Sequence, residues 1–379
     1  MAIDNKDNKV LNVPHLRFPE FSGEWKMERL DKIATLSKGI GISKEQLSNG
    51  GEPCILYGEL YTKYKSEIIK EIYSKTDIDN SKLKKSKAND VIIPCSGETA
   101  VDIATARCVP FDNILLGGDL NVISLHQYDG AFMSYQLNGK RKYDIAKVAQ
   151  GVSVVHLYGE HLKTIKTCNP TLQEQKKIAK LLSLLDERIA TQNKIIEKLQ
   201  SLIKGIAQNI VLLNKPNVCI SQCLECSSST LQESDVLEYG TYPVYGANGI
   251  VGYLDNYNTQ SEAIYIIKDG SGVGAVSYVT GKCSATGTLN ILQTKEGFSL
   301  QYLYYLLKVF NYEPYKTGMA IPHIYFKDYG KAKIFCPSYP EQLRYANLLS
   351  TIDCKLLAEQ NILSNLSVQK QYLLRQMFI

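Results

Sequence analysis

The sequence predicts an α+β protein: two mixed α/β globular domains joined by two long antiparallel helices of coiled-coil type, with an internal pseudo-two-fold. Three observations support this prediction. A block that starts PTLQEQKKIAKLLSLLDERI at residue 170 reappears 167 positions later as PSYPEQLRYANLLSTIDCKL. Each block continues as a single apolar stripe with alternating spacings of three and four residues, the pattern of one helix packed along another. The region before each block has short β-branched runs broken by Gly, Asn and Asp turn signals.

The repeat divides the chain into four segments. We predict a first domain over residues 1–169, a first long helix over 170–213, a second domain over 214–337 and a second long helix over 338–379. Within the domains, the patterns predict strands over 91–93 and 121–124 and helices over 130–137 and 300–310. A few residues of the first domain reappear in the second, but the residues between them differ widely. One scaffold is therefore expected to carry two different surfaces.

The two long helices are predicted to pack on each other. Pro170 ends the preceding segment, and Thr171 followed by Glu174 fits a capping box at the start of the first helix. A helix of about 37 residues spans roughly 55 Å, and its narrow apolar stripe is not stable alone. Gln192 interrupts the first stripe near its middle, and two polar residues, Glu359 near the middle and Lys370 further on, interrupt the second. We predict that Gln192 and Glu359 meet where the helices cross and fix their register.

Composition excludes several classes of protein. The length of 379 residues allows two to three domains, and 44% hydrophobic residues suffice for buried cores. No apolar run approaches the roughly 20 residues of a membrane span, and the polar start does not resemble a secretory signal. The ten cysteines are therefore expected to be reduced in the cytoplasm. The net charge of +5 is only weakly basic and does not by itself indicate a nucleic-acid partner.

The sequence contains no recognisable catalytic or metal-binding pattern. The glycine-rich stretch over 269–276 lies between two strand-like runs, whereas a dinucleotide fingerprint needs a following helix, so we interpret it as a hairpin turn. Cys219, Cys223 and Cys226 lack the second Cys or His pair of a zinc site and are interpreted as reduced thiols. No phosphate-binding loop, amino-methyltransferase tetrapeptide or nuclease signature is present. We therefore predict no catalytic residue, no metal and no cofactor in this chain.

Two features leave their roles open. Eight lysines lie between residues 63 and 87, where they either form a solvated loop or contact phosphates. His156 and His323 occupy the same position in the two domains, either for a structural hydrogen bond or for contact with DNA. An internally duplicated chain suits a two-fold partner, and duplex DNA is the commonest one.

The opening VPHLRFPEFSGEWKMERLDKIA at 13–34, the repeated P-x-x-x-E-Q-x-x-x-A-x-L-L-S-x-x-D helices and the two divergent domains resemble the specificity (S) subunits of type I restriction–modification enzymes. The resemblance covers nearly the whole chain. It implies that each globular domain is a target recognition domain for one half of a bipartite site in double-stranded DNA. The two helices would act as a ruler between the halves.

The same resemblance implies partners. Two methyltransferase (M) subunits would dock on the helices and methylate adenine N6 with S-adenosylmethionine. Restriction (R) subunits, which use ATP and magnesium, would complete an ATP-driven nuclease. The S chain itself would be a non-catalytic cytoplasmic subunit with no membrane contact. Two alternatives stay open: an S-like scaffold for another complex, which co-purification with a methyltransferase would distinguish, and an enzyme with an unfamiliar site, which activity of the isolated chain would reveal.

Candidate DNA-contacting residues lie in turns after strands, where loops can enter a groove. They are Lys38, Tyr57, Gly58, Lys63, Ser96, Glu98 and His156 in the first domain, and Tyr245, Gly246, Lys268, Ser271 and His323 in the second. The resemblance transfers no individual base contacts, because these domains vary with the target that each one reads.

Overall fold

The structure is a computed structural model that describes residues 11–318 and 321–379. Residues 1–10 of the predicted first domain lie outside this part. The chain divides into two compact units. The first unit runs to Gln192 and includes Ile362–Ile379, and the second unit comprises Asn193–Asn361. Each long helix therefore contributes one part to each unit.

The first half of the chain contains thirteen strands, seven α-helices and one short 3-10 helix (Lys44–Gln46) in the described residues. In order they are β1 (Lys26–Arg29), α1 (Leu30–Ile33), β2 (Ala34–Lys38), β3 (Leu47–Ser48), β4 (Glu52–Ile55), α2 (Glu59–Thr62), β5 (Ser74–Thr76), β6 (Lys84–Lys85), β7 (Asp90–Pro94), β8 (Ser96–Gly97), α3 (Ala100–Ile103), β9 (Arg107–Val109), β10 (Leu115–Leu116), β11 (Leu120–Leu125), α4 (Gly130–Asn138), α5 (Lys142–Val148), β12 (Val155–His156), α6 (Gly159–Leu162), β13 (Lys166–Asn169) and the long helix α7 (Leu172–Leu213).

The second half repeats this style with fewer elements. In order they are β14 (Val218–Cys219), α8 (Ile220–Cys223), β15 (Leu224–Ser228), β16 (Tyr242–Gly246), β17 (Gly249–Leu254), β18 (Ala263–Ile267), β19 (Val276–Val279), β20 (Ser284–Ala285), β21 (Leu289–Thr294), α9 (Leu300–Val309), α10 (Phe326–Tyr329), β22 (Lys333–Ile334) and the long helix α11 (Tyr339–Gln376).

Each unit has a four-stranded antiparallel sheet with the same strand order. The order is β2-β11-β7-β9 in the first unit and β15-β21-β18-β19 in the second. The inner strands β7 and β18 are apolar β-branched runs that are buried along almost their whole length, which favours a central place in a sheet. A parallel strand pair accompanies each sheet, β4 with β10 and β16 with β20. The predicted internal duplication is therefore confirmed in the topology.

The units differ in the chain that follows β4 and β16. Eighteen residues separate β4 from β5, whereas two separate β16 from β17. The long connection contains α2 and then residues 66–70, which run along the outer edge of β9. There the Cys108 amide donates to the Glu67 carbonyl at 2.8 Å, and the Ile69 amide donates to the Cys108 carbonyl at 3.0 Å. We call residues 66–70 the strap.

The predicted helices and strands are confirmed, with shifts of one to three residues at their ends. Asp129 caps α4 by accepting from the Phe132 amide at 2.8 Å, and Ser299 caps α9 by accepting from the Tyr302 amide at 3.3 Å. The glycine-rich stretch is the hairpin turn between β18 and β19, as predicted. No described helix combines the length and the apolarity that crossing a lipid bilayer requires.

Opposite ends of the long helices meet within each unit. In the first unit Ile178, near the start of α7, shares a core with Leu374, near the end of α11. In the second unit the end of α7 and the first half of α11 line one cleft. This is the pairing expected of antiparallel helices. Gln192 and Glu359 are buried, with 7% and 6% of their surface exposed, and their role in setting the register stays a prediction.

The predicted capping box at the start of α7 is only half formed. The Thr171 hydroxyl accepts from the Glu174 amide at 3.4 Å, as expected. The Glu174 carboxylate, however, accepts from Arg17 Nε at 2.8 Å and from Trp25 Nε1 at 3.3 Å. The reason is tertiary: Glu174 is fully buried, and a buried carboxylate is stabilised far more by a guanidinium than by one backbone amide.

The glutamine of the repeated motif joins each domain to its long helix. Gln175 donates to the carbonyl of the proline before α7 at 2.8 Å and accepts from the Asp129 amide at 2.9 Å. Gln342 makes the equivalent two bonds at the start of α11, each 2.9 Å long. It donates to the Pro337 carbonyl and accepts from the Ser299 amide. Since Asp129 and Ser299 cap α4 and α9, this glutamine connects two helix N-termini in each unit.

The aspartate of the motif also has one role in both units. Asp186 accepts from the Tyr135 hydroxyl at 2.6 Å, and Asp353 accepts from the Tyr305 hydroxyl at 3.2 Å. The tyrosines lie at matching positions of α4 and α9. The residues of the repeated motif are therefore structural: they hold each globular domain on its helix.

The first unit adds a buried ion cluster to this contact. The Lys370 ammonium lies 2.7 Å from the Asp186 carboxylate and 2.6 Å from the Glu67 carboxylate of the strap. Burial acts to lower the pKa of Lys370, but the two carboxylates outweigh it and hold that pKa above its ordinary value. The residue 167 positions earlier is Ile203, so the second unit has an apolar side chain at this place.

Candidate nucleic-acid interface

A narrow loop returns at the same place in both units. In the first unit Gln150 and His156 exchange two backbone hydrogen bonds, of 2.9 and 2.7 Å. In the second unit Thr317 and His323 exchange bonds of 2.8 and 2.7 Å. The backbone of each duplicated histidine closes a loop. The imidazole of each histidine therefore lies at the base of the loop, where it contacts neighbouring side chains.

A glycine is required at the start of each loop. The φ angle is +121° at Gly151 and +88° at Gly318, in the region that side chains disfavour. A Cβ atom would also lie 2.1 Å from the Val154 carbonyl oxygen in the first loop and 2.3 Å from the Ile321 carbonyl oxygen in the second. The duplicated glycines therefore mark loop geometry rather than a ligand contact.

Three of the predicted candidates of the first unit come together beside its loop. His156 Nδ1 lies 3.4 Å from the Ser96 hydroxyl, and the imidazole stacks on Tyr158 with the ring centres 6.2 Å apart. The Lys38 ammonium lies 5.8 Å from the centre of the Tyr158 ring, within cation–π range. Tyr158 is 45% exposed. This surface presents a cation, an imidazole and an open aromatic ring together.

The second unit presents the same groups in a shallow cleft of about 450 Å³, which is lined by Lys268 and His323 among others. His323 Nδ1 lies 2.5 Å from the Asp269 carboxylate. Tyr325 is 48% exposed, and the Lys327 ammonium lies 5.2 Å from the centre of its ring. The second unit therefore also combines a histidine, an exposed tyrosine and a lysine near the tyrosine ring.

The two surfaces differ in the group that faces the histidine. The Ser96 hydroxyl both donates and accepts hydrogen bonds, whereas the Asp269 carboxylate only accepts them. Base edges in the major groove carry different patterns of donors and acceptors, and a carboxylate matches the cytosine amino group. One frame therefore offers two different hydrogen-bonding patterns to a nucleic acid.

The chemistry of these surfaces is that of binding. Burial raises the pKa of the neighbouring Cys95 thiol to about 11, although Lys38 opposes the shift, and burial likewise raises the pKa of Cys226 to about 11 against the effect of Lys268. Both thiols are protonated at neutral pH and are poor nucleophiles. Over residues 11–318 and 321–379, no group of three or more His, Cys, Asp or Glu side chains is placed to hold a metal ion.

The other candidates of the first unit lie around α2 and β8. Tyr57 is 39% exposed and precedes Gly58, the residue at the N-terminus of α2. Lys63 ends this helix, and its ammonium lies 2.7 Å from the Glu59 carboxylate. Glu98 is exposed just after β8. Lys63 is thus engaged by its own helix, while Tyr57 and Glu98 are accessible.

The other candidates of the second unit divide in the same way. Tyr245 is half-buried, and its ring meets Tyr265 edge-on with centres 5.8 Å apart. Gly246 is buried next to it. Ser271 is exposed in the turn between β18 and β19. Packing explains the first two residues, and only Ser271 is free to reach a partner.

Sequence reasoning did not select Tyr158, Tyr325 and Lys327. The tyrosines carried a signal, because they repeat with the same spacing of 167 as the histidines two residues before them. Lys327 carried none, since its place over an aromatic ring depends on the fold of the loop. Duplication between the two domains therefore identifies residues of the candidate interface better than a position in a turn does.

Comparison with known proteins gives the family. The family model described as the type I restriction modification DNA specificity domain matches residues 22–201 and, a second time, residues 218–367. Two matches agree with the duplicated topology, and together they cover most of the chain. The chain belongs to this family.

Individual relatives are similar over shorter stretches. The type I restriction enzyme EcoprrI specificity subunit of Escherichia coli is 27% identical over 112 residues, which are 30% of this chain and 28% of that protein. The type I restriction enzyme MjaVIII specificity subunit of Methanocaldococcus jannaschii is 27% identical over 209 residues, 54% of this chain and 45% of that protein. Each match therefore spans less than half of the curated relative.

The fold is similar to a solved structure over its whole length. The crystal structure of the type I restriction–modification S subunit from M. genitalium covers 97% of this chain and 99% of its own, with a TM-score of 0.69 and 20% sequence identity. At this identity the likeness supports the fold alone.

Proposed function

We propose that this chain is the DNA specificity subunit of a type I restriction–modification system, and that each unit reads one half of an asymmetric bipartite site. One observation carries the proposal: the same loop, histidine and tyrosine recur in both units, each tyrosine has a lysine near its ring, and Ser96 faces one histidine while Asp269 faces the other. A common frame with different hydrogen-bonding groups suits two different half-sites. Membership of the DNA specificity domain family supports the same conclusion.

The groups on each surface have distinct tasks in this proposal. Lys38 in the first unit, and Lys268 and Lys327 in the second, contact phosphates and set the register of the protein on the duplex. Ser96 and Asp269 approach base edges with their neighbouring histidines. The exposed tyrosines contribute ring surface and a hydroxyl donor for the sugar–phosphate backbone.

The chain itself makes and breaks no bonds in this proposal. Two methyltransferase subunits dock on α7 and α11, which measure the distance between the half-sites, and methylate one adenine N6 in each half. Restriction subunits join the complex for ATP-dependent cleavage. The complex works in the cytoplasm, where it meets duplex DNA.

Mapping of N6-methyladenine across the source genome tests the proposal. We expect one bipartite motif, with one modified adenine in each half and an unread spacer between them, that loses its methylation when this gene is deleted. Return of the gene on a plasmid restores the pattern, which controls for effects on neighbouring genes. An unchanged methylation map after deletion would contradict the proposal.

A further inference from the structure

The edge strand that the strap covers in the first unit is left unpaired along its outer side by the described residues of the second unit. Strand β19 holds the place in its sheet that β9 holds in the first. In the described residues, β19 pairs with β18 only. Tyr278 corresponds to Cys108, because Tyr278 faces Ile264 on β18 as Cys108 faces Val91 on β7.

The peptide groups of Tyr278 point away from its sheet. Facing residues in antiparallel strands alternate between hydrogen-bonded and non-hydrogen-bonded pairs. The Ile267 amide donates to the Ala275 carbonyl at 3.0 Å, which marks a bonded pair. Three pairs further on, Tyr278 and Ile264 form a non-bonded pair. The N–H and C=O of Tyr278 therefore point outward, in the direction in which Cys108 bonds to the strap.

An open groove of about 670 Å³ adjoins this edge, bounded by β19, α9, the end of α7 and the first half of α11. In the first unit the strap bonds to the backbone of β9, to a lysine of α11 and to a glutamate of α7. These three positions are Cys108, Lys370 and Glu187. Their counterparts in the second unit are Tyr278, Ile203 and Cys354, and these three counterparts line the groove. The groove therefore occupies the position in the second unit that the strap fills in the first.

We propose that this groove is a docking site for an extended segment of a partner protein, which pairs with the outer edge of β19 as the strap pairs with β9. Strand addition of this kind obtains its affinity from backbone hydrogen bonds and its specificity from side-chain pockets. An uncovered edge strand is otherwise an aggregation risk, which a partner strand removes.

The groove defines the chemistry of the occupant. Lys204 and Lys308 line it and attract a carboxylate, while Ile203 replaces the lysine that binds the strap glutamate in the first unit. Leu357, which is 59% exposed, offers apolar surface in the same groove. The occupant is therefore an extended segment that combines an acidic residue, for Lys204 and Lys308, with aliphatic residues, for Ile203 and Leu357. This inference does not depend on DNA recognition.

A peptide with the strap sequence tests the proposal. The probe is a fluorescein-labelled peptide of residues 64–72, YKSEIIKEI, titrated into the full chain while its anisotropy is recorded. We expect saturable binding of one peptide per chain. Tyr278→Pro removes the outward N–H and weakens binding at least tenfold, whereas Tyr278→Phe keeps that N–H and the affinity. Lys204→Glu combined with Lys308→Glu also weakens binding at least tenfold.

A change in the peptide tests the same pairing without altering the protein. In the first unit the amide of Ile69 donates to the edge strand, so the peptide with Ile69→Pro is expected to bind at least tenfold more weakly. Anisotropy that does not saturate by about 1 mM peptide overturns the proposal. A dissociation constant of about 1 mM corresponds to a binding free energy of only about 4 kcal/mol. Equal affinity for the proline-containing and original peptides overturns it as well. Neither result affects the methylation test of DNA recognition.

Discussion

Replacement of Lys370 by methionine should destabilise the first unit strongly and leave the second nearly unchanged. The Lys370 side chain is 14% exposed, and its ammonium lies within 2.7 Å of two buried carboxylates, those of Glu67 and Asp186. Removal of one partner from a buried ion pair costs about 3–5 kcal/mol, because the remaining charge is left without compensation. Methionine retains most of the volume of the lysine stem, so the cost of a cavity is small.

The other unit supplies a matched control. Ile203→Met makes the same side chain at the corresponding position of α7, and a volume-conserving exchange costs less than about 1.5 kcal/mol. Burial raises the pKa of Glu67, and Lys370 opposes that shift. Without Lys370, Glu67 takes up a proton more readily as the pH falls. The cost of Lys370→Met is therefore greatest at neutral pH and decreases on acidification, and Glu67→Gln restores part of the stability at neutral pH.

Hydrogen exchange measured by mass spectrometry separates the two units. In Lys370→Met, amides of residues 172–192 and 362–376 should exchange faster by roughly two to three and a half orders of magnitude, which corresponds to about 3–5 kcal/mol. Peptides that cover β18 and β21 should keep their rates. A loss of less than about 1 kcal/mol, or an equal loss in both units, would refute the view that this ion cluster is buried and local to the first unit.

Three further outcomes are expected. Gln342→Leu leaves the Ser299 amide without its acceptor and should reduce protection of α9 by about 1–3 kcal/mol in the same exchange experiment. Lys38→Ala should weaken DNA binding equally for all sequences and lower the slope of log affinity against log salt by about one in filter-binding or anisotropy assays, whereas Lys177→Ala on α7 should not. Gln192→Leu combined with Glu359→Leu should change the melting temperature or the assembly of the protein, and an unchanged value for both would remove the proposed register contact.

The sequence predicted the elements whose cause is local. The periods of three and four residues, the capping residues and the β-branched runs were sufficient for both long helices, for α4 and α9, and for the central strands. The duplication predicted the common topology, because two copies of one pattern fold in the same way. The capping box at Glu174 was half wrong because Arg17, 157 residues away, competes for the same carboxylate.

Contacts between distant residues could not be predicted. Lys370 interrupts the apolar stripe of the second helix, but Glu67 lies 303 positions away and nothing in the sequence marks it as the partner of Lys370. Only residues 67–69 of the strap pair with the edge strand, and three residues are too few to show a period. The candidate site was found in part, since Lys38, Ser96 and His156 do come together, but only the folded loop shows that Tyr158 joins them.

The central claim is that each unit reads its own half of the DNA site, and exchange of one unit's reading surface tests it most directly. Residues 218–336 would be replaced by the corresponding segment of a family member with a different target, and N6-methyladenine would be mapped in cells that carry the hybrid. The account predicts a new bipartite motif in which one half is replaced and the other half and its adenine are retained. A motif changed in both halves, or in neither, would contradict it.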